Sequence, residues 1–316
     1  MALQIRDLDG PIGAEVLGLE PAKALTADDL KALEEAFLRR LVLRFRDAPM
    51  TPQSLCFFSR QFGELQPHIA KKYRLPEAPE VVLMINQDAD GNFDKVGAER
   101  GVGWHSDLAY DWSPARCTFL HAVAIPNRGG NTKFANMYLA WDSMPEALKK
   151  RVDGKLASFR NGGRLGLNQG IQEDPDRSKD VVHPVIRVHP ETGRKSVYAN
   201  PYHVVQILGM PREASDALLD ELFAWCERDE FQWQQQWQVA DTILWENRSA
   251  WHSGNLDYPL DQLRKLYRTT VRGTPTVDRA EAEKLLAAAC CAGTRFASAG
   301  REACPPRTCG STSAGR

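Results

Sequence analysis

The feature that most restricts how this chain can fold is a pairing across a long sequence distance: His105-Ser106-Asp107, and a lone His252 far downstream. On an extended segment, side chains two residues apart point to the same side. An imidazole and a carboxylate at positions 105 and 107 can therefore reach one point in space. A second imidazole, from position 252, joins them only if a remote strand is folded back onto the first. Ligands so far apart converge naturally inside a rolled sheet.

The remaining pattern agrees with such a roll. Strand-like runs are Leu41–Arg46, Val81–Ile85, Thr118–Ile125, Val182–Val188, Ser196–Ala199, Thr242–Trp245 and Leu266–Val271. Many short strands with turn residues between them favour a sandwich or barrel. Helix signals are fewer. Thr26 precedes an apolar stripe at Leu30, Leu33, Ala36 and Phe37. Thr51-Pro52 opens a second helix, which Gly63 can end. Ser143-Met-Pro-Glu146 has the spacing of a capping box for a helix stopping near Gly154. A fourth runs from Pro211 to about Glu230. The expected architecture is mainly β with flanking helices (α+β), a jelly roll. One domain is expected over 1–277, with 278–316 forming a short helix and then a disordered tail rich in Gly, Ser, Arg, Pro and Cys.

Composition narrows the partners. The formal net charge of -1 gives no polyanion-binding surface, so no nucleic-acid partner is expected. No run suits a membrane span, and the first residues lack a signal peptide, so the expected location is cytoplasmic. Seven cysteines without framework spacing argue against a secreted disulfide scaffold. No C-x-x-C pair is present, which counts against a zinc knuckle in the tail.

Two imidazoles and one carboxylate on one side of an ion, with open positions opposite, form the arrangement used by non-haem Fe(II) oxygenases. Alone, His-x-Asp occurs by chance in many sequences. Each of the seven histidines taken singly is by default structural or surface. Arg264 and Arg268, four apart, share a face if they lie on a strand, and a guanidinium fork suits a carboxylate. Either arginine alone reads as part of an exposed basic strand. Trp104, Tyr110, Trp112 and Trp251 offer an apolar wall, with the core as their default place. Asn86 follows a strand that leads toward the pocket.

Taken together, His105-Ser-Asp107, Gly129-Gly-Asn-Thr132, Trp245-Glu-Asn-Arg248 with His252, and Arg264 with Arg268 resemble the taurine/2,4-D dioxygenase family. The resemblance covers nearly all of residues 1–275. It implies a double-stranded β-helix, cupin-like, with Fe(II), 2-oxoglutarate as co-substrate, and O2. It makes His105, Asp107 and His252 the iron ligands. Thr132 and Arg264 would contact 2-oxoglutarate, Arg264 at the distal carboxylate, and Arg268 would contact substrate or co-substrate. His68, Lys71 and Asn86 become substrate-binding candidates. Lys71 stands where the taurine enzyme has a tyrosine, which points to an anionic substrate of another shape.

The implied reaction is hydroxylation of a small carboxylate or sulfonate, such as an aryloxyalkanoate or alkylsulfonate, with release of succinate and CO2. A carboxylate ligand at 107 favours hydroxylation over halogenation. Other readings are a dioxygenase of an amino acid or other small metabolite, a non-catalytic jelly-roll binding protein, and a zinc hydrolase. The absence of HExxH counts against the last. A homo-oligomer is left open.

Overall fold

Residues 3–67, 71–166 and 179–291 are described by a computed structural model. An eight-stranded sheet runs in the order Gln4–Asp7, Ala14–Leu17, Val42–Phe45, Thr242–Glu246, Ala115–Ala124, Lys265–Arg272, Ala78–Ile85 and Arg74–Leu75. All neighbours are antiparallel except Ala14–Leu17 with Val42–Phe45. Two three-stranded sheets complete the roll. One holds Gln232–Gln235, Thr132–Asn136 and Ala250–Gly254; the other holds Val204–Ile207, Leu156–Phe159 and Val181–Pro184.

Period-two alternation explains why the large sheet is buried on both faces. On Ala115–Ala124, Cys117 and Phe119 join one apolar cluster while Leu120 and Ala122 join another. On Thr242–Glu246, Leu244 faces the first cluster, and Ile243 and Trp245 face the second. The first cluster lies under helices Ala27–Arg40 and Pro52–Arg60, which contribute Leu33, Phe37 and Phe58. Phe58 packs edge-on against Phe45 and Phe119, with ring centroids 5.2 and 5.5 Å apart. The second cluster fills the roll itself: Phe134 of the small sheet meets Trp245 of the large one at 5.6 Å. His252 lies at the end of this interior, its ring 4.6 Å from that of Trp245.

Local signals act as expected at two helix starts. Thr26 Oγ1 accepts from Asp29 N at 3.0 Å, and Thr51 and Ser54 cap each other reciprocally. Two expectations need correction. Ser143 caps no following helix; it ends Met137–Asp142, and its hydroxyl donates to Leu139 O at 2.7 Å. Helix Glu146–Val152 starts behind Pro145 without a side-chain cap. Pro145 itself takes the N-cap position, which leaves the Ser143 hydroxyl to serve the preceding turn. The run Val182–Val188 is also not one strand. It breaks after Pro184 into Val181–Pro184 and Ile186–Val188, which belong to different sheets, since proline cannot donate to a ladder. Helix Arg279–Cys291 follows the roll, and the Cys-rich residues 292–316 lie outside the described residues. No helix among the described residues is long and apolar enough to cross a membrane.

Candidate active site

His105 and His252 are locked to each other through the backbone. His105 N donates to His252 O at 3.0 Å and His252 N donates to His105 O at 2.9 Å. This isolated antiparallel bridge brings the rings together at a tilt of 46°, with centroids 4.1 Å apart. The chain turns just after it, so Asp107 swings back beside both rings. Its Oδ1 lies 3.8 Å from His105 Nε2 and 3.7 Å from His252 Nε2. The three donor atoms lie within 4.8 Å of one another, and all three residues are buried. Bonds a little over 2 Å long from one ion reach such a set.

The protonation of the set suits a cation. His105 Nδ1 is 2.8 Å from Gly103 O, which places the proton on Nδ1 and leaves the Nε2 lone pair facing the other donors. Burial lowers the pKa of both histidines, so the imidazoles are neutral near pH 7. For Asp107, burial opposes ionisation, but the Arg268 guanidinium, the two histidines once protonated at low pH and the Thr118 hydrogen bond outweigh it and hold the carboxyl well below its usual range. Arg268 Nη2 donates to Asp107 Oδ1 at 2.7 Å, and Thr118 Oγ1 donates to Oδ2 at 2.6 Å. Asn247 closes a ring behind the carboxylate. Its Nδ2 donates to Thr118 Oγ1 at 2.9 Å, and its Oδ1 accepts from Asp107 N at 3.1 Å and Trp245 Nε1 at 3.0 Å. The Trp245-Glu-Asn-Arg248 run therefore frames the site: Trp245 lines the cavity and Asn247 orients Asp107.

Thr132, Arg264 and Arg268 line the same cavity as the His–Asp–His set. Thr132 Oγ1 accepts from Trp237 Nε1 at 3.1 Å, and Arg264 Nε donates to Gly130 O at 3.0 Å. The Gly129-Gly130 turn permits this approach. Both residues have positive φ, and a Cβ on Gly129 would lie 2.4 Å from Asp257 O. Arg268 stands against Asp107.

The remaining sequence candidates are placed differently. Asn86 is buried but does not line the cavity; its side chain accepts from Arg264 N and donates to Gln262 O, both at 2.8 Å. It fixes the strand entry that carries Arg264. Lys71 is exposed in a short turn and does not line the cavity. His68 lies outside the described residues. Of the four aromatic candidates, Tyr110 lines the cavity; Trp251 is a core residue, and Trp104 and Trp112 pack against that core. Four residues that the fold brings here carried no signal in the sequence: Arg100, Tyr202 and His203 on the cavity wall, and Thr118 behind Asp107. Arg100 sits in a glycine-flanked stretch that reads as surface loop, and Thr118 reads as an ordinary strand residue.

Residues 4–270 match the family described as taurine catabolism dioxygenase TauD, TfdA family. The alkylsulfatase of Acinetobacter baylyi is 30% identical over 284 residues, covering 87% of this chain and 86% of that protein. The alpha-ketoglutarate-dependent 2,4-dichlorophenoxyacetate dioxygenase of Burkholderia sp. is 29% identical over 262 residues, covering 79% and 88%. Among solved structures, AAD-2 in complex with Mn(II) and N-oxalylglycine superposes with a TM-score of 0.77 at 27% identity, covering 88% of this chain and all of that one (100%). A match covering most of the chain, a rolled sheet and a buried His–Asp–His set lead to one conclusion: the chain belongs to the TauD, TfdA family and is an Fe(II)- and 2-oxoglutarate-dependent dioxygenase.

Proposed function

We propose that the chain hydroxylates a small organic carboxylate with an apolar, ring-bearing body, of the aryloxyalkanoate kind. The observation that carries this reading is the make-up of one cavity. Met84, Leu108, Leu120, Tyr110, Tyr202 and Trp245 supply apolar and aromatic wall, while three guanidinium groups, Arg100, Arg264 and Arg268, face the same space as a single carboxylate, Asp107. Such an excess of positive charge among the described lining residues, partly or wholly out of water, calls for anionic ligands. Relatives include a 2,4-dichlorophenoxyacetate dioxygenase and an (S)-phenoxypropionate dioxygenase of Sphingobium herbicidovorans.

In this reading His105, Asp107 and His252 hold the metal. Arg264 and Thr132 take the distal carboxylate of 2-oxoglutarate. The partners of Arg264 support that role: its Nε donates to Gly130 O in the turn that leads to Thr132, whereas Arg268 touches the metal carboxylate. When bound, the metal and 2-oxoglutarate supply the oxidation: O2 gives one oxygen atom to a substrate C–H bond and the other to 2-oxoglutarate, which leaves as succinate and CO2. The protein orients the reactants and excludes water. The Asn247–Thr118 ring keeps Asp107 aimed and ionised, and the Gly103 carbonyl fixes the His105 tautomer. A cytoplasmic location is in keeping with three free, buried cysteines, Cys56, Cys117 and Cys226.

Succinate release over a panel of acids tests this. We expect 2,4-dichlorophenoxyacetate and phenoxypropionate to stimulate release well above taurine, and His252→Ala to abolish it. Equal or higher kcat/KM with taurine overturns the substrate reading.

A further inference from the structure

We infer that Arg100 is the residue that binds the anionic group of the substrate. This rests on the reading above that an organic acid enters this cavity. Arg100 is only 8% exposed and lines the cavity that holds Asp107 and Arg268. Its Nη2 donates to Leu83 O at 2.7 Å, and its guanidinium lies over the ring of Tyr73 at 3.6 Å. Neither partner is an anion. Its Nε–H is buried and has no acceptor among the described residues.

A guanidinium with a buried donor left over, and no carboxylate in ion-pair contact among the described residues, is held in a costly state that an incoming anion relieves. Burial, with a contribution from nearby Arg268, lowers its pKa to about 10, still far above neutrality, so the group remains charged.

The other two cavity arginines have other assignments: Arg264 takes 2-oxoglutarate in the reading above, and Arg268, whose Nε is likewise buried without an acceptor among the described residues, is committed to Asp107. Arg264 is tied to Gly130 O beside Thr132. Arg100 is also held in register with the metal-binding residues. Gly254 N donates to Gly101 O at 2.7 Å, and Gly103 N donates to Ser253 Oγ at 3.0 Å. The segment bearing Arg100 is thus pinned to the strand bearing His252. Gly101 and Gly103, with φ of +77° and +95°, let the chain bend from Arg100 into His105. An acid bound there has its charge on a fixed arm, with its apolar body turned toward Leu108, Tyr110 and Tyr202.

The discriminating experiment measures KM for 2,4-dichlorophenoxyacetate and for 2-oxoglutarate separately in wild type, Arg100→Lys and Arg100→Gln, and adds the neutral methyl ester of the acid as a second substrate. Loss of a charge-assisted contact should raise KM for the acid about 10- to 100-fold in Arg100→Gln, with a smaller rise in Arg100→Lys. KM for 2-oxoglutarate should stay within about twofold of wild type, and the preference for acid over ester should collapse. Because Arg100 also braces Leu83 O, melting curves accompany the kinetics. A fold-wide defect would raise both KM values and leave the acid-to-ester ratio unchanged. An unchanged acid KM, or an unchanged ratio, overturns the assignment of Arg100. If wild type accepts no acid of the panel at all, the substrate reading fails and the assignment falls with it.

Discussion

Two sites in this molecule make opposite use of the arginine side chain. Below the metal-binding strand, Arg248 sits between Glu246 and Glu191, with Nε 2.7 Å from Glu246 Oε1 and Nη1 2.9 Å from Glu191 Oε1. His189 Nε2 completes the cluster, 3.2 Å from Glu246 Oε2. Burial works against each charge here, yet the opposite charges outweigh it: Glu246 is held well below the usual carboxylate range and Arg248 above its own. In the cavity, Asp107 is the one carboxylate among the described lining residues and it pairs with Arg268, while burial lowers the pKa of Arg100 and Arg264 despite the more distant Asp94 and Asp257. A compensated cluster is structure; an undercompensated one is a place for ligands. Arginine content alone does not distinguish them, because the difference lies in where the acids fall in space.

The most forceful way to break this comparison is to remove the compensating acid. Glu246→Ala leaves Arg248 with Glu191 alone and takes from His189 its Glu246 partner, and about 3 kcal/mol of stability should be lost in denaturant titrations. If the loss is no larger than for an exposed glutamate, the cluster is not structural. The same carboxylate sets a pH dependence. Its folded pKa is depressed, so its contribution is complete above the unfolded value of about 4.3 and fades as pH falls below that. Wild type should therefore lose stability below about pH 4.5 more steeply than Glu246→Gln, as read by melting temperature.

A smaller effect sharpens the comparison at the site. Thr118→Val removes the hydrogen bond to Asp107 Oδ2 and leaves Asn247 Nδ2 without its acceptor. Metal affinity, measured by anaerobic Fe(II) titration, should fall about 10- to 100-fold. An unchanged affinity would show that the ring does not orient the ligand. Arg264→Ala should raise the 2-oxoglutarate requirement about tenfold while leaving Fe(II) affinity nearly unchanged, since it removes one charge-assisted contact. If Arg268→Ala does this and Arg264→Ala does not, the two roles are exchanged.

Much of the fold was legible because its signals are local. Thr26 and Thr51 announce helix starts through their own hydroxyls, and alternating apolar residues announce strands such as Thr242–Glu246. The Ser143 misreading shows the limit of such signals: one hydroxyl can serve either of two helices, and only the backbone decides. His105, Asp107 and His252 were legible as a set because residue chemistry, close spacing and a family-like context coincided. Asn86 was legible as a residue near the pocket, but its two hydrogen bonds to the Gln262–Arg264 backbone were not.

The sequence by itself determined the kinds of chemistry available to this protein: two imidazoles and an acid for a metal, guanidinium groups for anions, and strands able to roll. Tertiary structure alone decided which charges meet. It set Arg248 among glutamates and Arg100 beside an open cavity, and it joined Thr118 and Asn247 to Asp107 across remote strands. The reason is physical. Propensity and capping act over a few neighbouring residues, whereas the energy of a buried charge depends on whichever atoms the fold packs around it.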